Sequence, residues 1–400
     1  MRIIKPVTTM KRRIFINGLS SFSIGLTMLV SIPVILNILD TKAWVMLSTY
    51  QAVGLICSIF ISFGWSVYGP QRVRSFSDSE IFHEYKKSLK MQLALTSILS
   101  GLFLTFLATM TSHGNLLNFL SFFSIAVIGA RPNWLYIGLD LQFDNLKRET
   151  MPRLVLNVLG LSLMLLSEKV TLFFLCQSLG TLISIFLTTM WLKRRSSFNL
   201  ESEPFSLQLI KEGVLVAFPP ILNAMTSFAP LFILQFYSIE KAALMAFLLR
   251  LRMQYLTFAS PVTDSMISLK LVRDAGSETK RNPNIFFEYL KLASIPVLAF
   301  PLFAYGIAIF VEQPEIAFTN VELLLFALYV GSFYAWNIAY STESASANKA
   351  RLQYLSICSF AGMVLAIFLG LQFSTLAQTF FLMFTIQIIT FFLFIKFKNN

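Results

Sequence analysis

Histidine and cysteine are scarce in this chain, and so is charge. Its 400 residues include two histidines and three cysteines, and Asp, Glu, Lys and Arg together make up 13%. His83 and His113 each fall in a polar stretch between apolar ones, where a solvated imidazole is the expected role. Cys57, Cys176 and Cys358 sit far apart in apolar stretches, which suits small buried side chains and gives neither disulfide nor metal spacing. No glycine-rich phosphate loop follows a strand pattern, and no Ser, His and acid cluster shares a face. The sequence therefore offers no case for hydrolysis, ATP use or a bound cofactor. Charge at this level is also too low to surface a soluble globule.

In place of charge there are long apolar runs. Hydrophobic residues make up 56% of the chain, with 41 phenylalanines. A hydrocarbon core is crossed by roughly 20 apolar residues as helix, because the backbone has to satisfy its own hydrogen bonds there. Windows of this kind run Ile14 to Leu39, Trp44 to Tyr68, Met91 to Met110, Leu116 to Ile137, Leu154 to Leu166 and Thr171 to Leu192. They continue with Val214 to Leu234, Ala242 to Ala259, Leu292 to Val311, Leu323 to Tyr340, Leu352 to Leu371 and Leu376 to Ile395. The expected fold class is thus an all-α integral membrane protein of about twelve transmembrane helices. The fifth window is short, yet removing it would scatter the basic loops over both faces.

With the N-terminus placed in the cytoplasm, 26 of the 32 basic residues fall in cytoplasmic segments. Only Lys42, Lys169 and Lys241 fall outside, and Arg131, Arg250 and Arg252 lie within predicted helices. This is the positive-inside pattern, and it places both termini in the cytoplasm. It accounts for the formal net charge of +12 as topology, so no nucleic-acid partner is implied. Lys11, Arg12 and Arg13 lead into a stretch long enough to span, the mark of an uncleaved start-transfer segment rather than a removed signal.

The segment 193–211, with Lys193, Arg194, Arg195, Glu201, Glu203 and Pro204, reads as a cytoplasmic linker. It separates a six-helix half, residues 1–192, from a second, residues 212–400. An even number of helices per half preserves orientation, so the halves would be related by an axis along the membrane normal, with the substrate site between them.

The informative residues are the arginines inside predicted helices, since a cation at helix centre costs at least about 2.5 kcal/mol to insert. Arg250 and Arg252 lie too deep in the eighth helix for easy snorkelling. Two positions subtend about 200° of helix, so the pair cannot share one cavity face. Gln254, four after Arg250, shares its face. The expected arrangement puts Arg250 and Gln254 on a cavity and pairs Arg252 with a neighbouring helix, the reverse being the alternative. Arg131 precedes Pro132, where a break is expected, and reads equally as a cavity residue or as an interfacial arginine. Asp40, Asp140, Asp264, Glu312 and Glu322 lie near helix ends, leaving a cation-lined cavity suited to an anion. Asn17, Gln51, Asn223, Gln235 and Asn337 could add hydrogen bonds to hydroxyl-rich cargo, or simply join helices.

Three segments carry a family resemblance. Pro132, Asn133, Trp134, Leu135, Tyr136, Ile137 and Gly138 resemble the Pro-x-Trp-aliphatic-aromatic-x-Gly of Wzx-type lipid-linked oligosaccharide flippases at the inner end of helix four. Asn17 opening the first helix and Pro33 late in it are similar to that family, with Asn37 standing where many members carry arginine. Phe63, Gly64, Trp65 and Ser66 through Gly69 and Arg72 resemble its Phe-Gly-aromatic-polar run closed by a base. The family lies in the MOP superfamily with the MATE multidrug exporters and the lipid II flippases.

The resemblance implies a polytopic protein of the bacterial inner membrane. It would pass undecaprenyl-pyrophosphate-linked repeat units to the outer leaflet, for O-antigen or a related surface polysaccharide, by alternating access. Membrane lipids, a polysaccharide polymerase and a chain-length regulator are the implied partners. No cofactor is expected, with the driving force coming from the membrane potential, H+ or Na+. A negative-inside potential favours outward movement of an anion by about 2.3 kcal/mol per charge per 100 mV. The alternatives are a membrane polymerase or glycosyltransferase, which should carry a large charged outer loop, and another MOP exporter for lipid II or drugs.

Overall fold

The computed structural model describes residues 10–74, 76–110, 115–195, 207–274, 300–311, 318–344, 349–371 and 376–399. Among the described residues every regular element is helical. The order is α1 (Met10–Ile38), α2 (Thr41–Ser62), α3 (Trp65–Val73), α4 (Asp78–Met110), α5 (Asn115–Ala126), α6 (Asn133–Leu139), α7 (Gln142–Asn145), α8 (Met151–Ser167) and α9 (Val170–Arg195). Then come α10 (Leu207–Leu234), α11 (Ile239–Asp274), α12 (residues 300–308), α13 (Asn320–Ser344), α14 (Lys349–Leu371) and α15 (Leu376–Asn399). The first part of the ninth expected span, residues 292–299 of Leu292 to Val311, and the centre of the linker 193–211 lie outside the described residues.

Among the described residues five helical runs are long and apolar enough to cross a membrane: Thr41–Ser62, Asp78–Thr109, Gln142–Ser167, Val170–Arg195 and Ala217–Leu234. The fifth sequence window is therefore not short. α7, a π-helical turn at Leu146–Thr150 and α8 join into 26 helical residues. Pro152 sits in the first turn of α8, where its missing N–H costs little, so it does not interrupt the run.

Two other windows are broken, the second within what the sequence reads as continuous helix and the fourth where a break is expected at Pro132. The second stops at Ser62, because Phe63 (φ 48°) and Gly64 (φ 77°) turn through the left-handed region before α3 begins. Phe63 is fully buried there, so packing holds a conformation that its side chain disfavours. The fourth narrows after α5 into a 3-10 turn, Val127–Ala130, and opens at Arg131, which is extended (ψ 141°). The residue before a proline avoids the α region, and Pro132 enforces that here.

The chain forms two compact units. The first holds Met1–Met28 and Tyr50–Ile221, the second Leu29–Thr49 and Leu222–Asn400. Within the first, α8 and α9 pair antiparallel through small residues. A Cβ on Gly160 would lie 2.8 Å from the Cys176 Cβ, and one on Gly180 would lie 3.0 Å from the Arg153 Cα. This close approach lets α8 bury Arg153, Asn157, Gly160 and Met164 on one face. In the second unit α15 packs on α13 and α14, and α13 on α11.

Candidate functional site

The second unit holds the two arginines of α11. Trp44, in the first turns of α2, is fully buried and donates its indole N–H to the Ala243 carbonyl at 3.2 Å. Ala243 and Arg250 are seven residues apart, nearly two whole turns, and so share a face of α11. The anchored indole consequently lies under Arg250, whose guanidinium carbon is 4.4 Å from the ring centroid. Cations prefer this position over tryptophan, and the ring adds no counter-charge.

Arg252 turns the other way. It is 2% exposed and donates from Nη1 to the Tyr329 hydroxyl at 3.0 Å. Its guanidinium lies 4.6 Å from the Phe333 ring and 5.6 Å from that of Tyr329. Those two rings stand one turn apart on α13, with centroids 6.1 Å from each other. α11 thus sends one arginine to α2 and the next to α13, as the rotation between positions 250 and 252 dictates.

The remaining polar candidates of this unit are less tightly placed. Gln254 and Asn223 are partly buried, and the Asn223 carbonyl accepts from the Ser227 hydroxyl at 2.8 Å. Thr49 donates to the Gln235 side chain at 3.1 Å, tying α2 to the end of α10. Pro33 is buried inside α1. Asn17 belongs to α1, but its side chain and that of Asn337 lie outside the described residues.

In the first unit the extended backbone at Arg131 turns its side chain onto Glu149. Arg131 Nε donates to Glu149 Oε1 at 2.5 Å, and Arg153 Nη1 donates to the same oxygen at 2.8 Å. The Glu149 side chain is 1% exposed and that of Arg153 5%, whereas that of Arg131 keeps 23%. One buried carboxylate is therefore clamped by two guanidiniums, leaving a net positive group of three. The sequence reading assigns Arg153 to a cytoplasmic segment and gives Glu149 no role. The structure places both within the helical run Gln142–Ser167, Arg153 against α9. The available signal was the i, i+4 spacing of Glu149 and Arg153, with the acid N-terminal as helices prefer.

The motif segments of the sequence meet one another. α3 packs on α6: Trp65 and Trp134 lie 5.2 Å apart, and a Cβ on Gly69 would lie 2.6 Å from the Trp134 ring. A Cβ on Gly138 would lie 2.8 Å from the Pro70 Cα. Arg74 reaches across to donate to the Gly138 carbonyl at 3.3 Å. Arg72 pairs with buried Glu84 at 3.3 Å, tying α3 to α4. Gly64, Arg72, Pro132, Trp134 and Gly138 thus build one corner of the first unit, in which Phe63, Trp65, Trp134 and Tyr136 share a core with Tyr85 and Trp191. All three cysteines are free thiols, and among the described residues no group of His, Cys, Asp and Glu could hold a metal ion.

No family model and no curated protein matches the sequence. Solved structures do match. A MATE transporter from Vibrio cholerae is similar with a TM-score of 0.61 at 12% identity, covering 96% of this chain and 94% of that one. An outward-facing multidrug resistance MATE family transporter of the MOP superfamily is similar with a TM-score of 0.59 at 14% identity, over 97% and 94% of the two chains. A MOP superfamily transporter from Pyrococcus furiosus, described as having a binding pocket of reversed polarity that suggests a different function, is similar with a TM-score of 0.59 at 13% identity, over 98% and 97%. Likeness over nearly the whole of both chains gives this protein the all-helical fold of the MATE-type transporters of the MOP superfamily.

Proposed function

We propose that the chain is a multi-pass transporter of the bacterial inner membrane that flips undecaprenyl-pyrophosphate-linked oligosaccharides to the outer leaflet by alternating access. It crosses the membrane twelve times with both termini in the cytoplasm, in halves 1–192 and 212–400. The observation that carries this reading is the aromatic setting of the α11 arginines. Trp44 under Arg250, and Tyr329 with Phe333 beside Arg252, give both arginines surroundings that favour the cation. A cation kept within a membrane-spanning helix is rare and marks a candidate site for an anionic group.

Arg250, seated on Trp44, is the residue that meets the pyrophosphate or an acidic sugar, with Gln254 and Asn223 offering hydrogen bonds. Arg252 fastens α11 to α13. Arg131 is held by Glu149 and keeps an edge toward its surroundings, so its part in anion binding is secondary. The Pyrococcus furiosus neighbour supports the reading in one respect, since its description indicates that this fold admits pockets of differing polarity. Drive comes from the membrane potential or from coupled H+ or Na+.

The test is substitution at Arg250 at native expression level. Arg250→Ala should abolish surface polysaccharide and Arg250→Lys should retain part of it. Normal polysaccharide with the alanine variant would remove the role. A second reading, export of another cargo, is favoured by the multidrug MATE neighbour. It predicts that the alanine variant changes drug susceptibility and leaves polysaccharide alone.

A further inference from the structure

The basic end of the α8–α9 pair combines three features that no part of the transport reading uses. The first is an indole holding two cations. The Arg148 guanidinium lies 4.5 Å from the Trp191 ring centroid and that of Arg195 lies 4.7 Å from it, so the two charges are at most about 9 Å apart. Tyr136, hydrogen-bonded to Thr188 at 2.8 Å, stacks on the same indole at 5.9 Å and fixes it from the core side. Asp144 pairs with Arg148, so the two guanidiniums around Trp191 and that carboxylate together carry a net positive charge.

The second feature is charge density around that centre. Lys147 and Arg148 precede α8, and Lys193, Arg194 and Arg195 close α9. Because the two helices run antiparallel, these five bases gather at one end of the pair. The third feature is what leads up to them. Along α9 the exposed side chains Leu175, Leu179, Ile183, Phe186 and Met190 form a stripe at helical spacing that ends at Arg194. Val155, Val158 and Leu159 expose a parallel apolar surface on α8. An apolar stripe about the length of a lipid chain, capped by guanidiniums gathered on a tryptophan, has the layout of an acyl chain and its phosphate.

We propose that this end of the α8–α9 pair is a binding site for an anionic phospholipid. Arg148 and Arg195, both held over the Trp191 ring, bridge the headgroup phosphate, and the acyl chains lie along the α9 stripe. The phosphate relieves the repulsion between the two guanidiniums, and bidentate N–H···O bonds give the geometry. Lys147 and Arg194 add non-directional attraction, each basic residue near an anionic surface favouring binding about fivefold. A free phosphate would engage the arginines but gain nothing from the stripe, which is why the occupant is a lipid.

The experiment is native mass spectrometry of the full-length protein, delipidated in detergent and then offered equal amounts of phosphatidylglycerol and phosphatidylcholine. The wild type should retain phosphatidylglycerol in preference, and Arg148→Gln with Arg195→Gln should lower that preference about 25-fold at fivefold per arginine. Arg195→Gln alone, at an exposed helix end, should lower it about fivefold and serves if the double variant does not fold. Lys241→Gln, remote in sequence, should leave it unchanged. Equal retention of the two lipids by wild type, or undiminished preference in Arg195→Gln, would overturn the proposal. So would displacement of phosphatidylglycerol by millimolar inorganic phosphate, which would mark a simple anion site.

Discussion

Glu149 provides the sharpest perturbation of the first unit. Its carboxylate is 1% exposed and accepts from Arg131 at 2.5 Å and from Arg153 at 2.8 Å. At an effective dielectric of about 20, a pair at such a distance attracts by about 6 kcal/mol, much of which offsets the desolvation of the charges. Glu149→Gln leaves the volume nearly unchanged but removes the counter-charge of Arg153, which packs against Gly180 with a 5% exposed side chain. An orphaned buried charge of this kind costs about 3 to 5 kcal/mol. The double variant Glu149→Met with Arg153→Met removes both buried charges, and Arg131, at 23% exposure, can turn outward. It should recover to within about 1 kcal/mol of wild type. The assay is denaturant unfolding in mixed micelles followed by helicity, comparing wild type, the single variant and the double variant. A loss below about 0.5 kcal/mol in Glu149→Gln, or a double variant as unstable as the single one, would refute the clamp, since surface-like charges behave that way.

Three further outcomes follow from the geometry. Gly138→Ala pushes a methyl to 2.8 Å from the Pro70 backbone and should destabilise by about 1 to 3 kcal/mol, read by the same unfolding assay. Trp44→Phe keeps a ring beneath Arg250 but loses the bond to Ala243, so transport should fall partially, whereas Trp44→Ala should resemble Arg250→Ala in surface-polysaccharide yield. Arg252→Met should reduce transport little while lowering stability by about 1 to 2 kcal/mol through loss of the Tyr329 bond. A transport defect equal to that of Arg250→Ala would exchange the roles of the two arginines.

Hydropathy and proline made most of the helices legible, because length and apolarity are properties of a whole segment. The turns were not, because a window average is blind to single dihedrals. Phe63 and Gly64 break an apolar run without changing its hydropathy, and only the Phe-Gly pair hints at the left-handed turn. Pro132 announced its break in advance. Pro152 starts α8 without stopping the helical run that precedes it. The opposite faces of Arg250 and Arg252 were readable from rotation alone. That their neighbours would be Trp44 and the Tyr329–Phe333 pair was not, because those contacts join residues 206 and 77 positions apart. Glu149 was hidden for a related reason. Its burial depends on Arg131 and on α9, neither of which is local to it.

The central claim is that lipid-linked sugars cross the membrane through this protein. The direct measurement is to delete its gene in the native cell, extract the lipid-linked intermediates, and determine on which leaflet single repeat units accumulate. Accumulation on the cytoplasmic leaflet, with loss of surface polysaccharide and rescue by wild type but not by Arg250→Ala, is the predicted result. Single units gathering on the outer leaflet, or no accumulation at all, would contradict the account.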